Sequence, residues 1–126
     1  MNVKFEDIVG LTFHKIEVRR SHRNSHGAYE QDRIKFLGKR SFLMDHMQDC
    51  CESVDIDDIV GDIKDLENTP ILEAYESTNN EQKESWDESG TWTFYRIRTI
   101  KGEVTIKWYG ASNGYYSESV DFEETT

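Results

Sequence analysis

The sequence predicts an α+β, mostly β domain: an antiparallel sheet of hairpins with one short acidic helix. Three observations predict it. Apolar and polar residues alternate with period two over most of the chain, and the dipeptides Gly38-Lys39, Lys101-Gly102 and Asn113-Gly114 punctuate that alternation as turns. Only one stretch, Asp55 to Glu67, carries helical spacing. The 126 residues make one ordinary domain, 1–126, with no internal repeat. A chain of this size buries about two thirds of the surface it exposes unfolded, so it needs neither disulfide nor metal to hold a core.

Thr12, His14, Ile16 and Val18 share one face of a first strand, with Leu11 and Phe13 on the other. A basic, polar loop follows from Arg19 to Gly27. Ile34 and Phe36 begin a second strand, Gly38-Lys39 turns it, and Ser41 to His46 gives a third. In the next segment Ile56, Ile59, Val60, Ile63 and Leu66 fit i, i+3, i+4, i+7 and i+10, but Gly61 and the stop Asn68-Thr69-Pro70 shorten the helix. We place it at Gly61 to Glu67, with Val54 to Val60 partly extended before it. Ile71 to Glu76 reads as a strand, and the polar run Ser77 to Gly90, Trp86 excepted, as a mobile loop. Thr91 to Thr99 alternates Trp92 and Phe94 against Thr93, Tyr95 and Ile97, and Lys101-Gly102 returns it through Val104, Ile106 and Trp108. Trp92, Phe94, Ile106 and Trp108 are the expected core. Asn113-Gly114 then starts a last hairpin strand, Tyr115 to Phe122, before a frayed tail.

No apolar run approaches the roughly 18 residues of a membrane span, and the N-terminus has no apolar signal segment. The only cysteines, Cys50 and Cys51, are adjacent, which points to free thiols in a reducing, cytoplasmic setting. The net charge of −10 is uneven: residues 1–48 carry +3 and residues 49–126 carry −13. A field of that sign repels nucleic acid and anionic lipid and attracts basic partners.

Four constellations could carry chemistry. His46, Asp49, Cys50, Cys51 and Glu52 place a base, two thiols and two carboxylates within seven residues. Adjacent cysteines chelate zinc poorly, so a structural role is expected, with one cysteine a small core residue, no catalytic residue, no metal and no cofactor. The carboxylates Asp55, Asp57, Asp58, Asp62, Asp65 and Glu67 lack the spacing of a calcium loop. A solvated face accounts for them most simply; the functional reading is a surface that imitates phosphates and contacts a partner. Tyr115 and Tyr116, beside the Asn-Gly turn, point to opposite faces, so at least one is free for a partner. Arg19, Arg20 and Arg23 could clamp a phosphate, although no Gly-rich cradle accompanies them.

Three runs resemble a family: Gln48 to Val54 leading to Ile59 through Leu66; Trp92-Thr93-Phe94-Tyr95; and Ile100-Lys101-Gly102 through Trp108-Tyr109-Gly110 to Ser112 through Ser117. They are similar to an uncharacterised family of small bacteriophage and bacterial proteins marked by the Asp-Cys-Cys-Glu run. The resemblance spans about Gly10 to Val120; the stretch Arg19 to Gln31 is longer than the family's turn and Lys39-Arg40-Ser41 shorter than its hairpin. It implies a phage or mobile-element origin and brings no activity.

The expected function is therefore that of a phage-type accessory protein inhibiting a host defence system, as an anti-CRISPR does, by stoichiometric binding. The partner is a host defence protein with a basic, nucleic-acid-binding groove, and nucleic-acid mimicry is one form of the contact. It would act in the host cytoplasm, without direct nucleic-acid or membrane binding. Two alternatives compete: a sponge for a signalling nucleotide, using the loop arginines and tyrosines, and a small metal- or thiol-dependent hydrolase.

Overall fold

Eight strands and two single 3-10 turns make up the described chain, residues 3–20 and 31–125 of a computed structural model. In order the strands are β1 (Phe13–Arg19), β2 (Arg33–Gly38), β3 (Phe42–Asp45), β4 (Ser53–Val60), β5 (Glu73–Asn79), β6 (Ser89–Thr99), β7 (Gly102–Ser112) and β8 (Asp121–Glu124). They form two four-stranded antiparallel sheets, ordered β1-β2-β3-β8 and β4-β7-β6-β5. The mostly β, antiparallel expectation holds, but there are two sheets rather than one.

The sheets face each other across one core. Phe13, Ile16, Ile34, Phe36, Phe42, Met44 and Phe122 point inward from the first, and Val54, Ile56, Ala74, Tyr95, Ile97, Val104, Ile106 and Trp108 from the second. Phe5, from the 3-10 turn Phe5–Ile8, packs edge-on against both Tyr95 and Phe122, with centroids at 4.7 and 5.1 Å. The buried Trp108 indole N–H donates to Met44 Sδ at 3.3 Å, so one side chain ties the central strand of one sheet to the other sheet. Burying an aromatic residue of this kind contributes on the order of 3–5 kcal/mol against truncation.

The expected acidic helix is absent among the described residues, and a bulge explains its apparent spacing. Ile56 pairs with Trp108 and Ile59 with Ile106, while Asp57 between them has no partner position. An extra residue in one strand keeps both isoleucines on the core face, so a strand reads as i, i+3. After Val60, Gly61 takes φ +106 and the chain makes only the four-residue 3-10 turn Ile63–Leu66. Asp62 caps that turn by accepting the Lys64 N–H.

Three further expectations are corrected. Trp92 and Phe94 lie on the outer face of β6, because the opposite face carries Thr93, Tyr95 and Ile97, which pair with the buried Trp108, Ile106 and Val104 of β7. Size suggested the wrong face; the partner strand decides it. Asn113-Gly114 does not close a hairpin: the chain runs without strand structure to β8, which joins β3 in the other sheet. Finally, the polar run after Ser77 is not one loop, since β5 reaches Asn79 and β6 starts at Ser89.

Candidate functional site

At one end of the sandwich three loops converge: 46–52 between β3 and β4, 80–88 between β5 and β6, and 113–120 between β7 and β8. The pairings Asp45 with Asp121, Ser53 with Ala111, and Ser89 with Ser112 put all three at the same end. Each is pinned from inside by a carboxylate.

Glu52 pins the first. Its buried carboxylate accepts the backbone N–H of Asp49 and of Cys50, each at 2.9 Å, the Gln48 amide at 3.2 Å, and lies 2.8 Å from His46 Nε2. The other ring nitrogen of His46 lies 2.7 Å from Ser119 O, so the first loop is tied to the third. The Cys50 N–H, helped by His46 and the Asp49 N–H and opposed by burial, holds the Glu52 carboxyl down to about 2, from an ordinary 4.5.

Glu118 pins the third loop. It is buried, and it accepts the hydroxyls of Thr91 (2.7 Å) and Ser112. Ser112 Oγ in turn accepts the Gly114 N–H at 2.9 Å, and Asn113 Oδ1 accepts the Tyr115 N–H at 2.9 Å, which sets the turn. A Cβ at Gly110 would lie 2.6 Å from Glu118 O, so only glycine lets this loop lie against β7.

Asp87 pins the second. It accepts the Tyr109 hydroxyl at 2.6 Å, and that hydroxyl accepts the Lys83 N–H at 2.9 Å. Burial, then the bond to Asp87, pushes the Tyr109 hydroxyl above its ordinary value. The loop expected to be mobile is thus fastened to the face of β7.

What the loops display differs from what holds them. Tyr115 is 83 % exposed, Met47 81 % and Trp86 76 %, three together at one end, whereas at the far end, among the described residues, Ile100 alone is as exposed, at 82 %. Tyr116, packed edge-on to Tyr115 at 5.2 Å, is partly buried. A recess of about 280 Å³ joins the loops, with Cys51, Trp86 and Asn113 among its walls. The loops 46–52 and 113–120 contain no lysine or arginine, and the 80–88 loop has only Lys83, which is paired with Asp57, while Asp49, Glu84 and Glu88 add negative charge. Trp86 was legible only as the one aromatic in a polar run; the role of Glu52 was not legible because its burial, unlike its neighbouring donors, comes from the fold, and that of Glu118 because the fold brings Thr91 to it.

The free-thiol expectation is corrected: Cys50 and Cys51 are joined by a disulfide of 2.05 Å, in the turn that Glu52 curls up. Neither is a core residue; both are exposed. The inference to a reducing compartment drawn from thiols therefore lapses. Among the described residues no group of three His, Cys, Asp or Glu side chains is arranged to hold a metal, and no helix is long and apolar enough to cross a membrane.

The acidic segment does not form one face. Asp55 lies on β4 near the loops, and Asp57, the bulge residue, pairs with Lys83 Nζ. Asp58 is exposed and accepts the N–H of Ile59. Asp62, Asp65 and Glu67 lie at the far end, where Asp65 O accepts the Thr99 hydroxyl and Glu67 accepts the Ile16 N–H at 2.8 Å. Arg19 donates twice to Gln31 O, and Arg20 donates to Ile56 O and Asp57 O. Arg23 lies outside the described residues.

A family profile matches residues 2–122, nearly the whole chain. The chain belongs to the family Domain of unknown function (DUF7448). Searches of curated proteins and of solved structures give no match. The family carries no stated activity, so function rests on the surface just described.

Proposed function

We propose that this DUF7448 chain is a non-enzymatic, phage-type accessory protein that inhibits a host defence protein by stoichiometric binding, with the three-loop end as its contact surface. The observation that carries the reading is the exposure of Trp86, Tyr115 and Met47 on loops that the carboxylates of Asp87, Glu118 and Glu52 hold in place. Solvent-facing aromatics on fixed loops lose little freedom on binding and make the anchors of protein contacts. Their rim is acidic, which fits a basic partner such as a defence protein whose groove normally takes nucleic acid, met in the host cytoplasm.

Nucleic-acid mimicry by the whole run Asp55 to Glu67 draws less support. Asp57, Asp62 and Glu67 already serve the fold through Lys83, the Lys64 N–H and the Ile16 N–H. In this proposal Asp55 and Asp58 extend the acidic rim, and the far-end carboxylates do not touch the partner.

The test is affinity capture from bacterial lysates with the wild type, with Trp86→Ala/Tyr115→Ala, and with Asp62→Asn/Asp65→Asn, each followed by reconstitution with the purified captured protein. The expected result is a basic protein bound one to one, more weakly as salt rises, lost by the aromatic double variant and kept by the far-end variant. Loss by the far-end variant alone would transfer the contact to the acidic segment. Saturation by a nucleotide without any protein partner would favour the sponge.

A further inference from the structure

The outer face of the second sheet carries a second site, centred on aromatics outside the protein contact and bordered by the start of the 80–88 loop. Trp92 and Phe94, two positions apart on the central strand β6, present parallel rings, 2° between planes and 6.1 Å between centroids. Both are partly exposed, although core was the simpler expectation for residues so large. Tyr109 tilts against the other side of Trp92 at 4.8 Å and props it in place. Above the two rings lies a recess of about 460 Å³, within the range of about 300–1,000 Å³ usual for small-molecule sites.

The polar groups around the rings set the ligand's chemistry. Asp57 and Lys83, an ion pair, close one side, with Lys107 beside Phe94 on the paired strand. Asn79, opposite Trp92 on β5, and Gln82 add amides, and Glu81 a second carboxylate. Two ammonium groups and two carboxylates balance, inside a molecule of net charge −10. Such a site rejects phosphates, because the carboxylates and the overall field oppose them. It suits an uncharged ring whose C–H face lies on the negative π-faces of Trp92 and Phe94 and whose rim offers many hydroxyls to amide, ammonium and carboxylate groups.

We propose that this recess binds the sugar rings of an uncharged carbohydrate, one on each aromatic side chain. The bulge at Asp57 and the loop fastened by Tyr109 are what build its wall: the first re-aims Asp57 toward Lys83, and the second brings Lys83 over the sheet. No bond is made or broken in this proposal; the recess only holds its ligand.

The experiment is a calorimetric titration of each variant, with the Trp92 indole N–H resonance, assigned by comparison with Trp92→Ala, followed alongside wherever Trp92 is present. The probes are chitotriose, maltotriose and cellotriose, with AMP and GMP as the anionic arm. At least one trisaccharide should shift the resonance saturably, with little dependence on salt. Trp92→Ala and Phe94→Ala should each weaken binding about tenfold or more, as truncating an aromatic anchor does. Asn79→Ala, at an exposed strand end, covers the case in which an aromatic variant fails to fold, and it should weaken binding with an unchanged melting temperature. Trp86→Ala/Tyr115→Ala should bind the sugar as the wild type does, which separates this site from the protein contact. Absence of saturable binding by all three trisaccharides, tighter and salt-sensitive binding of AMP or GMP, or sugar binding unaffected by the Trp92, Phe94 and Asn79 variants would each overturn it.

Discussion

The two ends of the sandwich solve the same problem in different ways. At the far end, Gly38 to Phe42 and Thr99 to Gly102 are short hairpin turns, and the longer connection 61–72 from β4 to β5 is built around the 3-10 turn Ile63–Leu66. Their bonds end mostly on backbone groups, as where Thr99 Oγ1 accepts the Lys101 N–H and donates to Asp65 O, and they too join distant parts of the chain, with Glu67 accepting the Ile16 N–H. At the loop end, connections of seven residues and more are held by the carboxylates Glu52, Asp87 and Glu118, the first gathering near neighbours and the other two reaching Tyr109 and Thr91 on the strands. Burying a carboxylate is unfavourable unless its oxygens are satisfied, so a fold does not need the buried Glu52 and Glu118 merely to turn a corner. The difference teaches that the loop end, fixed through buried side-chain carboxylates, is shaped for display, whereas the far end is fixed largely through backbone bonds.

The largest effect is expected where the ends share their support. Trp108→Ala removes the fully buried indole that reaches Met44, and it should destabilise the fold by about 3–5 kcal/mol in urea unfolding, disordering both ends together. If one end kept its protection from hydrogen exchange, the two would be separate units and the comparison would need redrawing.

A selective effect follows from Glu52. Its folded value of about 2 lies below the ordinary 4.5, so its contribution to stability is complete above about pH 4.5 and is lost as the pH falls toward 2. Glu52→Gln should therefore lower stability at neutral pH and flatten the acid limb of the stability curve between those values. Exchange should quicken in residues 46–52 while the far end is unchanged. An acid limb identical to the wild type would contradict the pinning role.

Tyr109→Phe should have the smallest effect, about 1 kcal/mol or less, because it deletes one hydroxyl that bridges Asp87 and the Lys83 N–H. The expected signature is faster amide exchange confined to residues 80–88. Equal rates in both proteins would show that the strap is held by something else.

Much of the fold was legible in the chain. The hairpins at Gly38-Lys39 and Lys101-Gly102 join local partners, and alternation with turn chemistry suffices to find them. What escaped was non-local or degenerate. One extra residue at Asp57 shifts the phase of β4 into apparent helical spacing. The choice of β3 over β7 as the neighbour of β8 depends on the two sheets meeting, and no local signal encodes it. β6 is apolar on both faces, so only its register with Val104, Ile106 and Trp108 shows which side is core. Tyr115 could be singled out beside Asn113-Gly114, but nothing near Trp86 in sequence announced that it would stand with Cys51 and Asn113 around one recess.

The most direct measurement is a hydrogen-exchange footprint of the chain with the basic protein it captures. The account expects protection concentrated in residues 46–52, 84–89 and 113–120, with residues 60–72 and 99–102 exchanging as in the free protein. Protection of residues 60–72 with no change at the three loops would contradict it.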